Sequence, residues 1–563
     1  MIKITITVLL YFLCISFSIA QNFEWARAMA CTGNSYGVDI ATDAAGNIYT
    51  VGVFGGTVDF DPGPGSFNLT SRGSFSDIFI QKMDASGNFI WAKSFGSPSF
   101  REPIGRIAVD SLGFIYTTGI FAGTADFDPG PAVFKLTANG WGGFIQKLDT
   151  SGNFIWAKCY GGGQVYINDI SLSPSGDIYT AGWFRNRVDF DPSNLVSYHS
   201  SVGDQDIFIH KMSSTGNFLW VRTFGSISDD RARGIAVDTL GNVYTTGWFS
   251  GTVDFDPGSN IVNQQSTGQR DIFVQKMTSA GNLLWVKGLG GSLDDFGQSI
   301  DIDAFGNVIT AGVFEGTVDF DPGIGLNNLT SVILRDMFIQ KLDSLGDFLW
   351  AIRFGGPQAD YISSISTDSH GNIYSNGMLV NSIDFNPGTG NVILTSNGFE
   401  DVFTQKIDSS GNFVWALSYG GPSEEIASSI DIDHLGNIYT TGSFLDSVDF
   451  DPGVGVTILN AVSLEDIFVH KMSQSLPTSS FEIKNGIKIS SFPNPTNGIV
   501  HISFEKAFQN VSISLSDIQG KEVFSKELNT VINEEINIEG SPGVYFLKIS
   551  TNEGQSVIKL IKE

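Results

Sequence analysis

The sequence contains a long repeat that starts with the last segment of one repeat unit and stops just before that segment. A segment of the type Phe-Ile-Trp recurs every 64 to 66 residues, and each later copy follows a segment of the type Asp-Ile-Phe-Ile-Gln-Lys-Met. The copies are Phe23-Glu24-Trp25, Phe89-Ile90-Trp91, Phe154-Ile155-Trp156, Phe218-Leu219-Trp220, Leu283-Leu284-Trp285, Phe348-Leu349-Trp350 and Phe413-Val414-Trp415. The last Asp-Ile-Phe segment, residues 466–472, has no Trp segment after it. The first Trp strand can therefore complete the last sheet and close a ring that has no open edge.

Each repeat has the pattern of four β-strands. An Asp-x-x-Gly turn separates the first two apolar runs in every copy except the third, where Ser173 replaces the Asp. This turn favours a tight hairpin, because Gly accepts positive φ and Asp can bond its own backbone. In the fourth copy we predict strands at 233–237, 243–247, 271–276 and 283–287.

Four strands per repeat is the size of one propeller blade. No long segment has the 3.6-residue period of an α-solenoid, and an open β-solenoid has shorter repeats and no exchanged terminal strand. An isoleucine occupies one position of the inner strand in all seven copies, beside mostly small or polar residues, as expected next to a narrow channel. The sequence predicts an all-β fold, a seven-bladed β-propeller closed by an N-terminal strand, with packing of the Trp residues between blades.

The first twenty residues differ from the rest of the chain. Lys3 precedes the apolar run 8–19, and Ser18 and Ala20 provide the small residues that a signal peptidase reads. We predict a signal peptide at 1–20, cleavage before Gln21, and an exported protein. A formal net charge of -27 argues against nucleic-acid binding, because phosphate groups would be repelled. No later segment is apolar enough to span a membrane, so no transmembrane segment is expected in the mature chain.

The repeat pattern ends at Met472, which makes 21–472 the predicted propeller. We predict a linker at 473–487 and a small Ig-like β-sandwich at 488–563. Four motifs occur there in order: Phe492-Pro493-Asn494-Pro495-Thr496-Asn497-Gly498, Asp517-Ile518-Gln519-Gly520-Lys521, Gly543-Val544-Tyr545 and Lys559-Leu560-Ile561-Lys562. On these motifs the segment resembles the type IX secretion C-terminal (Por) sorting domain, type A, of Bacteroidetes. The resemblance implies export by the type IX machinery, removal of the domain, and a passenger that is released or attached to the cell surface.

The predicted propeller resembles a second family. In the fourth copy, residues 234–247 read Gly-Ile-Ala-Val-Asp-Thr-Leu-Gly-Asn-Val-Tyr-Thr-Thr-Gly, and residues 271–276 read Asp-Ile-Phe-Val-Gln-Lys. This pattern is similar to the bacterial β-propeller repeat named SBBP. That family implies a fold and no particular activity, so the function depends on the residues that differ between copies.

The connection between the second and third strands carries the motif Asp-Phe-Asp-Pro-Gly. In an extended segment both Asp side chains point to one side and the Phe to the other. Calcium takes closely spaced carboxylates and is available to an exported protein. The alternative is a turn in which the second Asp caps Pro-Gly and the first accepts backbone N–H groups. The motif lacks the further Asp and the distal Glu of an EF-hand loop, which favours the turn. The calcium candidates are Asp59, Asp61, Asp126, Asp128, Asp189, Asp191, Asp254, Asp256, Asp319, Asp321, Asp384, Asp449 and Asp451, with Asn386 in place of a second Asp.

The sequence has no nucleophile motif and no zinc-type His pair, and no catalytic residue is assigned. His210 and His470 stand where other copies have Gln. The copies differ most at two arginine-rich places and at charged positions of the inner strand, which could line a pocket for an acidic or sugar ligand or be ordinary surface and channel residues. These residues are Arg185 and Arg187 beside Trp183, Arg231 and Arg233, and the channel candidates Asp39, Arg106, Asp169, Asp301 and Asp431.

We expect a non-enzymatic, secreted or surface-attached propeller that acts as a binding or adhesion module. The long connections leave one face of the ring, so that face is the expected site for a glycan or another surface protein. Two alternatives remain: a carbohydrate-active enzyme that uses Asp and Arg residues at the channel mouth, and a purely structural envelope protein. Glycan turnover that is lost on replacing Asp39 or Asp169 would identify the enzyme.

Overall fold

The computed structural model describes residues 21–72, 76–96, 105–388, 390–462, 465–474, 489–492, 499–517, 521–538, 543–551 and 554–562. The predicted signal peptide and all but two residues of the predicted linker lie outside these ranges. Gln21–Gln474 form one compact unit, and the C-terminal strands belong to a second. The described segments are all-β, as predicted, and none of them provides a helix of the length and apolarity needed to cross a membrane.

Within Gln21–Gln474 the main strands pair into seven antiparallel sheets, which we number as blades 1 to 7; six have four strands, and blade 3 has a short fifth strand beside its four. The strands of each blade are named a to d from the channel outward. Blade 1 contains Ser35–Thr42, Ile48–Phe54, Asp77–Met83 and Phe89–Phe95, and blade 2 contains Arg106–Val109, Ile115–Asp126, Lys135–Leu148 and Phe154–Cys159. Blade 3 contains Gly161–Leu172, Ile178–Asp189, Asp206–Met212 and Phe218–Phe224, and blade 4 contains Arg231–Val237, Val243–Phe249, Asp271–Met277 and Leu283–Leu289.

Blades 5 to 7 continue this order. Blade 5 contains Phe296–Ile302, Val308–Asp319, Asn328–Leu342 and Phe348–Phe354, and blade 6 contains Tyr361–Thr367, Ile373–Asp384, Ile393–Ile407 and Phe413–Tyr419. Blade 7 contains Glu425–Ile432, Ile438–Phe444, Asp466–Gln474 and Gln21–Met29. Short extra strands lie in the b–c connections: Thr57–Asp59 with Asn68–Thr70, Tyr198–Ser200, Thr252–Asp254 with Asn263–Gln265, and Ser447–Asp449 with Ile458–Asn460. Strands a of successive blades contact one another all the way round, so the propeller is closed.

The two ends of the repeat array meet in blade 7. Gln21–Met29 pairs antiparallel with Asp466–Gln474, which places Phe23 opposite Met472 and confirms the predicted closing strand. Strand c continues for two residues past Met472, into the predicted linker, because Gln21 and Asn22 pair with Gln474 and Ser473. The added pairs extend the closure beyond the part that the repeat pattern identifies.

The residues of the a–b turns and the burial of strands b and c explain why each repeat folds as a blade. In the first a–b turn, Gly46 has φ 78°, and Asp43 Oδ1 accepts from the backbone N–H of Asn47 at 2.9 Å. Strands b and c are buried along their whole length in blade 1, because each sheet is covered by a neighbour on both faces. Strand d is half-exposed at the rim.

Neighbouring blades are joined at the c–d turns. Trp220 Nε1 of blade 3 donates to the carbonyl of Ser279 in blade 4 at 3.1 Å, and Gly281 lies against the indole ring with a φ of 76°, where a side chain would be both strained and crowded. Lys211, on strand c, donates to the same carbonyl at 3.2 Å. The Trp strands therefore pack between blades, as predicted.

The C-terminal unit contains Ile489–Phe492, Ile499–Asp517, Glu522–Asn537, Gly543–Thr551 and Gly554–Lys562, joined in one antiparallel network around the second of these strands. Its core includes Val511, Ile513, Leu515, Leu547 and Ile549. Motif residues 493–498 and 518–520 lie outside the described ranges. The Ig-like sandwich stays a prediction.

Candidate ligand site at the mouth of the channel

The first residues of strand a lie at one mouth of the channel. Antiparallel pairing sets Tyr166 opposite Trp183 in blade 3 and Arg231 opposite Trp248 in blade 4. Trp248 is the last residue but one of strand b in blade 4, and Trp183 has the corresponding position in blade 3, where strand b continues to Asp189. These side chains therefore belong to the face from which the long connections emerge, where the sequence predicts a binding surface.

An aromatic stack leads from the interior to the surface at this mouth. The rings of Tyr166 and Trp183 are 4.0 Å apart between centroids and nearly parallel, at 12°. Trp141, from blade 2, has its ring centroid 5.4 Å from that of Tyr166. Trp183 is 8% exposed, whereas Trp141 is 38% exposed, so the stack presents its outer member to solvent.

Arginine side chains continue the stack into blade 4. The Arg231 guanidinium lies 5.0 Å from the Trp183 ring centroid and 5.4 Å from that of Trp248, and Arg233 lies 4.9 Å from that of Trp248. Trp248 meets Phe296 of blade 5 edge to face at 5.1 Å. Cation–π contacts of this kind hold guanidinium groups flat against indole rings. The mouth cluster, as we name it, consists of Trp141, Tyr166, Trp183, Arg231, Arg233, Trp248 and Phe296.

The structure separates the arginines that the sequence placed together. Arg185 forms an ion pair with Asp204 at 2.6 Å, and both side chains are nearly half exposed. Arg187 lies over the ring of Tyr198 at 3.8 Å, on the short strand Tyr198–Ser200. Of the predicted set, only Arg231 and Arg233 join Trp183 in the mouth cluster.

Four of the channel candidates line a cavity of about 390 Å³: Asp39, Asp169, Asp301 and Asp431. Each of these carboxylates binds the inner strand of a neighbouring blade. Asp39 Oδ2 accepts from Ile107 N at 2.9 Å, and Asp169 Oδ2 accepts from Ile235 N at 2.8 Å. These bonds give the channel carboxylates a role in holding the ring.

Burial raises the pKa of Asp169, Asp301 and Asp431. It raises the pKa of Asp169 to about 7, against the opposing effect of the Arg106 guanidinium and of backbone N–H donors. Burial also raises the pKa of Asp301 and of Asp431 to about 6, although Thr367 and Thr42 donate to them. A carboxylic acid that titrates near neutral pH can transfer protons, but these groups already bind the backbone of the next blade.

The Asp-Phe-Asp-Pro-Gly motif forms a capped turn. Asp59 Oδ1 accepts from Phe67 N at 2.7 Å and from Asp61 N at 3.1 Å, and Asp61 Oδ1 accepts from Gly63 N at 2.9 Å. Phe60 is buried, and its carbonyl accepts from Gln81 Nε2 at 2.6 Å. The same two-residue caps recur at Asp126 and Asp128, Asp189 and Asp191, Asp254 and Asp256, Asp319 and Asp321, Asp384 and Asn386, and Asp449 and Asp451.

These bonds favour the turn over the metal site. In the part of the chain that the structure describes, no group of three or more His, Cys, Asp or Glu side chains is arranged to hold a metal ion. Calcium binding by the thirteen candidate carboxylates stays a prediction, which a titration can test.

The two histidines of strand c are buried and replace the Gln that supports this turn. His470 Nε2 lies 3.0 Å from the carbonyl of Phe450, and His210 Nδ1 lies 2.9 Å from the hydroxyl of Tyr160. Burial lowers the pKa of His210 to about 3 and that of His470 to about 4. Both imidazoles are therefore neutral at pH 7, inside the blades.

Trp141, Tyr166, Trp248 and Phe296 were not predicted as site residues from the sequence. A signal for part of this set is present in the repeats. The position four residues before the inner-strand isoleucine is Tyr166 in blade 3, Arg231 in blade 4 and Phe296 in blade 5. Comparing the copies at that single position would have shown large aromatic or charged groups at one end of the inner strands.

Family comparisons agree with this architecture. The family model of the secretion system C-terminal sorting domain matches residues 490–563, and that of the β-propeller repeat matches 219–248 and 349–377. These matches confirm both resemblances drawn from the motifs. The chain therefore carries SBBP β-propeller repeats and a type IX sorting domain, and the sorting domain indicates an exported protein.

Two curated proteins are similar to parts of the chain. It is 23% identical over 499 residues to an uncharacterized WD repeat-containing protein of Acanthamoeba polyphaga mimivirus, which covers 75% of this chain and 36% of that protein. It is 30% identical over 166 residues to the regulatory protein FlaEY of Caulobacter vibrioides, 29% of this chain and 17% of that protein. The chain thus spans about a third of the first relative and less of the second.

Proposed function

We propose that this protein is an exported binding module, and that the propeller holds a glycan or a surface protein at the channel mouth on the long-loop face. The observation that carries the proposal is the continuous stack from Trp141 through Tyr166 and Trp183 to Arg231. Aromatic faces stack on sugar rings and on apolar side chains, and a guanidinium on an indole adds directed hydrogen-bond donors. The remaining blades provide a rigid frame that fixes these groups in advance.

Export to the cell exterior is the second part of the proposal. The sorting domain supports passage through the type IX machinery, which makes that machinery the protein's first partner. After removal of the predicted signal peptide and sorting domain, the propeller is either released or attached at the cell surface. The mouth cluster would then be exposed outside the cell, where it could act in adhesion.

Binding is tested on arrays of glycans and of surface proteins, probed with the purified protein and with two variants. Tyr166→Ala removes the central ring of the stack, and Tyr198→Ala removes an aromatic ring on an edge strand outside the mouth cluster. We expect Tyr166→Ala to lose binding and Tyr198→Ala to keep it. Equal loss in both variants, or no array signal above background for the wild type, would contradict the proposed site.

Export is tested by ending the chain after Ser480. The truncated protein keeps every strand of the propeller, so it should fold and accumulate in the periplasm. Surface display or release at the wild-type level would show that the C-terminal residues are not the export signal.

The enzyme alternative makes a different prediction for the channel carboxylates. A glycan-cleaving site would release new reducing ends, and Asp169→Asn would abolish that release while the protein still binds the glycan. The module that we propose binds without turnover. A purely structural envelope component would neither bind nor cleave.

A further inference from the structure

Two arginines of the inner strands lie at the channel: Arg233, which belongs to the mouth cluster, and Arg106, which does not. Arg106 is on strand a of blade 2, and Arg233 is on strand a of blade 4. Asn168 of blade 3 stands between them: its carbonyl accepts from Arg106 Nε at 3.0 Å, and its side-chain nitrogen donates to the carbonyl of Ala232 at 2.7 Å. Arg106 Nη1 also donates to the carbonyl of Val38 in blade 1 at 3.2 Å, so Arg106 links the inner strands of blades 1 to 3. Arg106 and Arg233 are near enough for their positive charges to repel each other.

Arg233 has no charge partner among the described residues. The buried Nε of Arg233 donates to no hydrogen-bond acceptor among the described residues. The guanidinium lies over the face of the Trp248 ring. Neither Arg233 nor Arg106 forms an ion pair with a described carboxylate, whereas Arg185 and Arg231 pair with Asp204 and Asp229. Arg233 as a whole is half-buried, and its buried Nε lacks the partner that a charged group removed from water normally has, because that removal is costly.

The charges around Arg233 also favour the binding of an anion. Burial lowers the pKa of Arg233 to about 10, and repulsion from Arg231 and Arg106 adds to the effect. Arg106 also acts on Asp169, but the Asp169 carboxylate already accepts from the backbone of Ile235 and Ile170. Negative charge brought to Arg233 would relieve this repulsion.

We propose that Arg106 and Arg233 form an anion subsite, which receives a carboxylate or sulfate group of a ligand held at the mouth cluster. This inference rests on the proposed function, and it narrows the ligand class to acidic or sulfated polysaccharides. The local positive charge of Arg106, Arg231 and Arg233 would attract their anionic groups although the chain as a whole carries a net charge of -27. Guanidinium groups suit both anions, because their planar forks donate two parallel hydrogen bonds. The aromatic stack would hold the sugar rings while the anionic group lies against the guanidinium groups of Arg106 and Arg233.

The experiment uses calorimetric titration of the purified protein with inorganic sulfate, at constant ionic strength set by chloride. Dextran sulfate, polygalacturonate and neutral dextran are titrated in parallel, so that sulfate and carboxylate sources are distinguished. The variants are Arg233→Gln, Arg106→Gln and the control Arg187→Gln, which changes an arginine that lies over Tyr198. Circular dichroism melts confirm that each variant is folded.

We expect saturable binding of sulfate and of at least one acidic polymer, weakened at least about tenfold in Arg233→Gln and in Arg106→Gln, and unchanged in Arg187→Gln. Folded Arg233→Gln and Arg106→Gln proteins that bind as tightly as the wild type would overturn the subsite. If neutral dextran binds as tightly as the acidic polymers, with loss only in Tyr166→Ala, the subsite is wrong and the binding module stands. If sulfate binds through Arg233 but no polymer binds, the subsite stands and the polysaccharide as ligand of the proposed module is wrong.

Discussion

Lys406 donates a hydrogen bond to the side-chain oxygen Oε1 of Gln474 at 2.5 Å. In the other six blades the equivalent lysine of strand c donates to a main-chain carbonyl in the c–d turn of the next blade. Blade 7 has no c–d turn, because its strand d comes from the other end of the propeller. Gln474 takes the place of the missing turn, and its Nε2 also donates to the carbonyl of Gly436 at 2.9 Å.

Replacing Gln474 by Ala should therefore weaken the closure. Lys406 is buried, and without Gln474 its ammonium loses its closest acceptor, while Asp368 remains 4.0 Å away. We expect the free energy of unfolding to fall by about 1–3 kcal/mol, measured by denaturant titration. Ser473→Ala, which removes a surface hydroxyl that contacts Glu24, is the control and should change little. Equal stability of Gln474→Ala and the control would contradict this role.

Deleting residues 21–29 should lower the melting temperature of the whole ring. The deletion exposes one edge of Asp466–Gln474 and removes the buried side chains of Trp25 and Met29, each of which contributes about 1.5–3 kcal/mol. Calorimetry measures the loss, and a synthetic peptide of residues 21–29 added in excess should restore part of it. A deletion variant that melts like the wild type would show that the strand is dispensable for closure.

The closing strand could be predicted because the positions of the repeated segments along the chain are enough to identify it. The Trp segment at 23–25 lacks its preceding strand and residues 466–472 lack their following one, and no other pairing satisfies both. The role of Gln474 could not be predicted in this way. It depends on the c–d turn that blade 7 lacks and on the Gln474 side chain, which contacts Lys406 of blade 6. No other repeat has a residue in this role with which Gln474 could be compared.

The mouth cluster was partly predictable for a similar reason. Arg231, Arg233 and Trp183 differ from their counterparts in other copies, so the sequence marks them as exceptions. The contact of Arg231 with Trp183, and that of Trp141 with Tyr166, join side chains from different blades, which a period along one chain does not describe. Arg185 shows the converse, because its sequence neighbourhood suggested the cluster and its ion pair with Asp204 directs it elsewhere.

The Asp-Phe-Asp-Pro-Gly turns should be insensitive to calcium. Asp61 already caps Gly63, so Asp61→Ala should cost about 1 kcal/mol, and chelation should leave the melting temperature unchanged. Asn386 provides an internal comparison, because its Oδ1 accepts from Gly388 N at 2.9 Å without a charge. Asn386→Ala should therefore cost as much as Asp61→Ala. Heat on titrating calcium into the chelated protein, with a rise in melting temperature, would instead support the metal site.

A buried acid pair between blades 6 and 7 should make stability depend on pH. Asp401 and Glu425 are both fully buried, and Asp401 Oδ1 and Glu425 Oε1 have no hydrogen-bond partner among the described residues. Both carboxyl groups approach Gly420 so closely that a side chain there would collide with them. Neighbouring acids add to the negative charge: Glu424 and Asp446 face Glu425. Burial, with repulsion from Asp401, raises the pKa of Glu425 to about 7.

Because the folded protein holds Glu425 protonated more strongly than the unfolded chain, its contribution is fully present below the ordinary pKa of 4.5 and is lost as the pH rises through about 7. Glu425→Gln keeps the shape of the protonated acid, and its amide can donate to Asp401. We expect this variant to match the wild type at about pH 4 and to exceed its free energy of unfolding by at least about 1 kcal/mol at about pH 8. Urea titrations at both pH values measure the difference. The control is Asp347→Asn, at an exposed residue, whose difference in free energy of unfolding from the wild type should not change with pH. A stability difference between Glu425→Gln and the wild type that does not grow with pH would mean that Glu425 is not held protonated in this interface.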